Sequence, residues 1–291
     1  MRSAARILIS VLQLGTLDYS TGFSLQQKLV GLRKENRVGD ILLLLEHTPV
    51  ITLGRNAKAA NVIASPEQLA ERGVELFESD RGGDVTFHGL GQLVGYPIFD
   101  LRGFESTQSN RKTLGVIEYV RRIEEVLIRV CADFGIATER VAGLTGVWTG
   151  EEHVGTAALG CAAERSSAWA GEDARPYMQS KIAAIGVHIS RGVTSHGFAL
   201  NVNTDLSFFD LIIPCGITSK PVTSMEKLSK TIPLQEVAHS ISRNFGTVFQ
   251  TQMLWLEKLE DLIGETIGVP MKLPEELREL HDRNKDDIFW A

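Results

Sequence analysis

Ile41 to Leu45 is an unbroken aliphatic run, too short for most helices and apolar at every position. That pattern predicts a strand buried within a sheet, because a strand with one wet face alternates. Val50 to Leu53 reads as a second strand, and Val74 to Phe77 as a third that feeds Arg81-Gly82-Gly83. The early Ile7-Leu8-Ile9 run is broken by Ser10 and Gln13 and lacks a small-residue cleavage site, so it reads as a first strand rather than a signal peptide. Between the strands lie helix signals. Leu25, Leu29 and Leu32 keep helical spacing; Ser65-Pro66-Glu67-Gln68 combines an N-cap, a proline at the first helical position and a capping-box glutamine. Val116, Val120, Ile123, Leu127, Val130 and Phe134 form the clearest stripe, with Gly135 as its stop and Cys131 among its packing positions. Ile182 to Ile189 and Phe198 to Val202 then read as strands joined by a Ser190 to Gly197 connection. Strands and helices intersperse without strict alternation, which favours an α+β fold: a mixed sheet packed with helices.

After Pro221 the pattern turns helical. Pro233 starts a helix with Leu234, Val237, Ala238, Ile241, Phe245 and Val248 on one face. Trp255, Leu259 and Leu262 suggest another helix, and Pro274 to Leu280 a last, charged one. A catalytic domain over residues 1–228 with a C-terminal helical extension over 229–291 is therefore expected, since so short a tail holds few large apolar side chains for a core of its own. Residues 149–180, rich in Ala, Gly and Glu, are expected to form a loop insertion, either a lid carrying Trp169, Tyr177 and Met178 or a solvated surface segment.

The chain has 291 residues and a net charge of −6, which argues against nucleic acid as a partner. Arg121, Arg122 and Arg129, on one predicted helix, could still form a local basic patch for an acidic partner. No apolar stretch is long enough to span a membrane, so no membrane association is expected. The three cysteines, Cys131, Cys161 and Cys215, cannot all pair with one another, which fits a reducing cytoplasm and permits a free catalytic thiol.

Cys215 is the candidate. The apolar Leu211-Ile212-Ile213 predicts a strand that delivers it, Pro214 restricts the backbone before it and Gly216 permits a sharp turn after it. Such a turn can aim main-chain N–H groups at a developing oxyanion. A free thiol titrates near 8.5, so something must favour the thiolate. An ammonium about 4 Å away, at an effective dielectric of about 20, offers roughly 4 kcal/mol toward that end. Lys181 could supply it; by residue type alone, so could His88, His188 or His196. The histidines show no metal-ligand spacing, and no metal or other cofactor is expected.

Three ordered blocks precede Cys215. They are Arg81-Gly82-Gly83-Asp84-Val85-Thr86-Phe87-His88-Gly89-Leu90-Gly91-Gln92-Leu93-Val94-Gly95-Tyr96-Pro97, then Ser180-Lys181-Ile182-Ala183-Ala184-Ile185-Gly186-Val187-His188-Ile189, then Ser195-His196-Gly197-Phe198-Ala199-Leu200-Asn201-Val202-Asn203. Together with Glu46-His47-Thr48-Pro49-Val50 and Gly146-Val147-Trp148, the chain from about Leu8 to about Leu228 resembles the lipoyl(octanoyl) transferase family, lipoate-protein ligase B. The resemblance implies the α+β catalytic fold of biotin- and lipoate-protein ligases and a Cys215/Lys181 catalytic dyad. It implies an acyl site formed by Arg81 through His88, by Ala184, Ile185 and Gly186, and by Gly197, Phe198 and Ala199. The implied reaction carries octanoyl, or lipoyl, from acyl carrier protein through a Cys215 thioester to a lysine of a lipoyl domain. Acceptors of this kind are the E2 subunits of 2-oxoacid dehydrogenases and the glycine cleavage H protein. A cytoplasmic monomer is expected.

Two positions depart from the family pattern: Leu90 stands where proline is usual, and Gly192 where an aromatic residue is common. Neither touches the dyad. The competing readings are an ATP-dependent lipoate or biotin ligase, a Cys/Lys thioester hydrolase, and a non-catalytic carrier- or lipoyl-binding module; the dyad argues against the last, and fold alone does not choose among the others.

Overall fold

The computed structural model describes residues 7–107, 112–150, 179–214 and 221–262. Strand β1 (Leu8–Leu17) leads into α1 (Tyr19–Lys34), whose N-cap Asp18 accepts from the Thr21 amide at 2.8 Å. Next come β2 (Asp40–His47), β3 (Val50–Leu53), α2 (Pro66–Glu71), β4 (Glu75–Glu78), β5 (Val85–His88) and β6 (Gln92–Ile98). The expected capping box starts α2: the Ser65 hydroxyl accepts from the Gln68 amide, and the Gln68 side chain accepts from the Ser65 amide. Helix α3 (Val116–Asp133), β7 (Thr138–Val141), β8 (Leu144–Thr149), β9 (Lys181–Ser190) and β10 (Val193–Asn201) follow. Helices α4 (Met225–Leu228) and α5 (Leu234–Phe249) and strand β11 (Gln252–Trp255) complete the described elements.

Eight strands form one mixed sheet in the order β11-β1-β2-β6-β10-β9-β8-β7, and β4-β3-β5 form a second, smaller one. The Ile41–Leu45 run lies inside the large sheet and is buried on both faces, as its unbroken apolar pattern demands. One face is covered by α3 and α5, which bury Ile123, Leu127, Val130, Val237, Ile241 and Phe245 in the main core. Cys131 belongs to that core, and burial pushes its thiol up to about 12, which suits packing and not nucleophilic work. The other face is covered by α1 through Leu25, Leu29 and Leu32. The small sheet has its own cluster around Ile51, Val85, Phe87 and Phe209.

Four local expectations are corrected. The link between β9 and β10 is not an eight-residue loop but the two residues Arg191 and Gly192, at φ 54° and 85°. Two successive left-handed residues make a turn of the I′ kind, whose twist matches that of a hairpin. The aromatic residue usual at position 192 would meet Arg102 there, with Nε 3.1 Å from a built Cβ. Leu211 to Ile213 is not a strand: Leu206–Leu211 is a 3-10 helix, and only Ile212 makes a β-bridge, to Val62. Trp255 ends a strand rather than starting a helix, while Leu259 and Leu262 pack into the α1-side core. The three arginines on α3 form no basic patch. Arg121, Arg122 and Arg129 pair with Glu124, Glu118 and Glu125 at 2.7–2.9 Å. Much of the insertion, with Trp169, Tyr177 and Met178, lies outside the described residues, as do Cys161 and the Pro274 to Leu280 helix.

Candidate active site

Strands β9, β10 and β6 lie side by side and antiparallel, so their side chains form rows across the sheet. Ala184 stands opposite Ala199, and Ala199 opposite Val94. Two residues further along, Gly186 stands opposite Gly197, with Tyr96 the corresponding residue of β6. These rows floor a cavity of about 370 Å³ on the α1 side of the large sheet. The small sheet roofs it with Thr86 and His88, and the Arg81–Asp84 loop crosses its end, where the Gly82 amide donates to the Val187 carbonyl at 3.2 Å. A Cβ on Gly186 would sit 2.7 Å from the Gly82 carbonyl oxygen, so the crossing needs glycine.

Lys181 begins β9, lines this cavity and is buried, with 8% of its surface exposed. Its amide donates to Pro221, its carbonyl accepts from Thr223, and its Nζ stands 4.7 Å from the Trp148 ring centroid, a cation–π arrangement. Gly146 lets β8 approach it closely: at φ 122° a Cβ there would lie 2.6 Å from the Ala183 carbonyl oxygen and 3.5 Å from Lys181 Cε. Glu124, buried on α3, accepts from the Gly146 amide at 3.2 Å and holds this strand in place. Lys181 also shares the wall of a smaller adjoining cavity with Thr86, Gln92, Asn201 and Pro214.

The polar side chains around the cavity are mostly occupied in holding it. Arg81 turns its guanidinium onto Thr52, with Nε 3.0 Å from the hydroxyl and Nη2 2.6 Å from the carbonyl oxygen, and so braces the loop against β3. Asp84 accepts from the Lys58 and Val85 amides and from Asn61 Nδ2. Asn61 in turn accepts at its carbonyl from the Ile213 amide at 2.7 Å, two residues before Cys215. His88 donates from Nδ1 to Gln92 Oε1 at 2.7 Å, because Gln92 Nε2 is already donating to Phe87 O and Asn201 Oδ1. Burial drives His88 down to about 3, with the neighbouring His47 and Arg81 adding to the effect, so near neutral pH it is an uncharged acceptor at Nε2. His47, fully buried and held down to about 4 by burial, donates from Nδ1 to the Leu17 carbonyl and accepts the Tyr96 hydroxyl at Nε2, 2.6 Å away.

His188 stands outside the cavity, whereas His196 is part of its wall. Both donate to Asp80, at 2.8 and 2.7 Å, and His188 sits seven residues along β9 from Lys181, about 23 Å at strand rise. Of the residues expected at the acyl site, Arg81, Gly82, Gly83, Asp84, Thr86, His88, Ala184, Ile185, Gly186, Gly197, Phe198 and Ala199 line the cavity with Lys181. Val85 and Phe87 do not. Alternation along β5 turns them to the opposite face, where Phe87 stacks on Phe208 with centroids 4.7 Å apart. Cys215 lies outside the described residues. The sequence reading missed Tyr19, Asn56, Val94, Tyr96 and Gly143–Thr145, which also line the cavity. Tyr96 and His47 fall within or beside motif blocks, but they meet only through the β2–β6 pairing, which no spacing along the chain reveals.

The mixed sheet packed with helices is a fold this chain shares with the lipoate-protein ligases. The crystal structure of lipoate-protein ligase A bound with ATP superposes with a TM-score of 0.64 at 14% identity, over 97% of this chain and 95% of that one. A bipartite lipoate protein ligase of Thermoplasma acidophilum, described with its E2 lipoyl domain, gives 0.63 at 15% identity, over 97% and 93%. At such identities the likeness is one of fold. The chain belongs to the family of lipoyl protein ligase A/B catalytic domains, which matches residues 18–246. Among its relatives are an octanoyltransferase of Koribacter versatilis, 58% identical over 97% of this chain and 99% of that one. Another, of Acidobacterium capsulatum, is 53% identical over 89% and 97%.

Proposed function

We propose that this chain is an octanoyltransferase of protein lipoylation, using Cys215 as nucleophile and Lys181 as proton carrier. The observation that carries the reading is the cavity itself: Ala184, Gly186, Ala199 and Gly197 give it a floor of small residues suited to an alkyl chain, and it opens beside a buried lysine. Pro214, the residue before Cys215, shares a cavity wall with that lysine, which supports the pairing. Relatives named octanoyltransferase, more than half identical over nearly their whole length, support the acyl group.

In the first half-reaction the Cys215 thiolate attacks the carbonyl carbon of octanoyl-acyl carrier protein. The carbon–sulfur bond to the carrier breaks, and the leaving thiolate takes a proton from the Lys181 ammonium. Lys181, now neutral, accepts a proton from the lysine amine of a lipoyl domain as that amine attacks the octanoyl-enzyme, and the Cys215 thiolate leaves. No nucleotide enters, because the acyl group arrives activated. The trans-acylation runs in the cytoplasm, with the enzyme acting as a monomer, and the lipoyl domains of 2-oxoacid dehydrogenase E2 subunits and the glycine cleavage H protein are its acceptors. Val85 and Phe87 play no direct part in binding the chain.

Intact-mass measurement tests this. With octanoyl-acyl carrier protein alone the enzyme should gain one octanoyl group, and lose it when a lipoyl domain is added. Cys215→Ala and Cys215→Ser should form no adduct. Lys181→Arg should fail nearly as badly as Lys181→Ala, at least a hundredfold below wild type, because a guanidinium keeps the charge but does not release its proton. A normal adduct on Cys215→Ala overturns the nucleophile. The fold likeness to an ATP-bound ligase favours one rival, an adenylating enzyme. Acylation of the lipoyl domain from free octanoate and ATP, with none from the carrier, would establish that rival.

A further inference from the structure

The large sheet changes partners where Lys181 sits. Strand β10 pairs with β9 from Val193 opposite Ser190 to Leu200 opposite Ala183, and Lys181 lies two residues beyond that last pair. There its main chain turns to a different neighbour. Its amide donates to the Pro221 carbonyl at 2.8 Å and its carbonyl accepts from the Thr223 amide at 2.9 Å, so that Val222 is its parallel bridge partner. Pro221 to Thr223 thus pairs with Lys181 where β10 no longer does. In sequence this segment begins six residues after Cys215. A strand end that has parted from its neighbour opens more readily than the strand centre unless something ties it back.

Asn201 supplies that tie. It ends β10 directly after Leu200, is buried, and donates from Nδ2 to the Thr223 carbonyl at 2.9 Å. Its Oδ1 accepts from Gln92 Nε2 at 2.9 Å, and Gln92, its partner across the β6–β10 pairing, accepts at Oε1 from His88 Nδ1. One run of donors therefore passes from β5 through β6 and β10 to the segment that holds Lys181. Gln92, Asn201 and Thr223 are all buried, so losing one partner leaves a buried polar group unsatisfied. Gln92 and Asn201 also wall the smaller cavity together with Lys181 and Pro214. The tie reaches the lysine through its main chain, which sets where the side chain starts. For a group that must give and take a proton, a misplacement of about 1 Å can cost on the order of a hundredfold in rate.

We infer that Asn201 is a positioning residue for the acyl transfer: through Thr223 it holds the main chain of Lys181, and so the ammonium, in place. The inference rests on the reading of Lys181 as proton carrier and adds to it the side chain that sets the lysine. Asn203, two residues further on, is a control of the same chemistry. Its Nδ2 donates to the Ile232 carbonyl at 2.7 Å and its Oδ1 accepts from the Ile232 amide at 3.1 Å, tying the chain after β10 to the approach to α5. Wild type, Asn201→Ala, Asn201→Leu and Asn203→Ala are compared with octanoyl-acyl carrier protein and a lipoyl domain, with rates taken per mole of folded enzyme. Asn201→Leu keeps the volume without the N–H, and guards against an alanine variant that does not fold. Both Asn201 variants should lose roughly thirtyfold in kcat while KM for the carrier stays within about threefold. Alkylation of Cys215 by iodoacetamide should also need a higher pH in them, because a displaced ammonium favours the thiolate less. Asn203→Ala should keep the kcat, KM and alkylation profile of wild type, whatever its stability. Folded Asn201 variants that behave like Asn203→Ala overturn this inference alone, as does a raised KM at unchanged kcat. A wild type that forms no octanoyl adduct overturns the underlying reading with it.

Discussion

At the scale of single residues, the site depends on close approaches that only particular side chains permit. Gly146 is the sharpest case, since its φ of 122° is a conformation that residues with a Cβ rarely adopt, and the space is already taken by the Ala183 carbonyl. Gly146→Ala should therefore push β8 away from β9, costing about 2–4 kcal/mol by urea unfolding. Because the added Cβ would also lie 3.5 Å from Lys181 Cε, acyl transfer by the folded protein should fall at least tenfold, measured as initial rate per mole of folded enzyme. A fall no larger than the loss of folded protein would mean that Gly146 serves the fold alone. The glycine was visible in the Gly146-Val147-Trp148 block; its reason was not, because the Ala183 carbonyl arrives from a strand 37 residues later.

At the scale of elements, α5 does more than close the chain. Its stripe of Val237, Ala238, Ile241 and Phe245 enters the main core beside α3, and β11 after it pairs in parallel with β1 at the edge of the large sheet. Phe245 is fully buried and stacks on Phe249 at 5.3 Å and on Phe198 at 6.0 Å, directly beneath the cavity floor. Phe245→Ala should cost about 3–5 kcal/mol, read as a shift in the urea midpoint at unchanged slope. A loss below about 1 kcal/mol would show that α5 is only loosely attached. The stripe was plain in the sequence from its helical spacing. The strand that follows was not, because Gln252 to Trp255 shows no alternation and becomes a strand only through the open edge of β1.

At the scale of the whole molecule, burial of titratable groups makes stability depend on pH. His47 and His88 stay neutral in the folded protein down to about 4 and about 3, whereas an unfolded histidine protonates near 6.5. Below 6.5 the unfolded chain thus binds protons that the folded one refuses, so the stabilisation is complete above 6.5 and is lost as pH falls toward the folded values. Between pH 7 and pH 5 the two should remove about 3–4 kcal/mol together, with Asp40, raised by burial, offsetting part of it at the acid end. Urea midpoints at the two pH values check this. A stability that does not fall would mean that the folded protein protonates these rings.

The sequence by itself determined the kinds of element, the buried character of β2, the faces of α1, α3 and α5, and most residues of the cavity, because hydrophobic periodicity, capping and ordered motif blocks are local signals. It also carried the family. What only the tertiary structure decided is which of those residues face the same space. Val85 and Phe87 sit in the same motif as Thr86 and His88, yet a period of two sends them to opposite sides of one strand, and nothing in the motif says which side is the cavity. Leu211 to Ile213 was apolar enough for a strand, but Leu211 closes a 3-10 helix and only Ile212, in extended conformation, finds a bridge partner, Val62. Tyr19, His47 and Tyr96 come from a helix and two strands and meet at one corner because the sheet pairs β2 with β6 and α1 packs across them. That is a long-range choice, made by register and burial together, which no window of sequence contains.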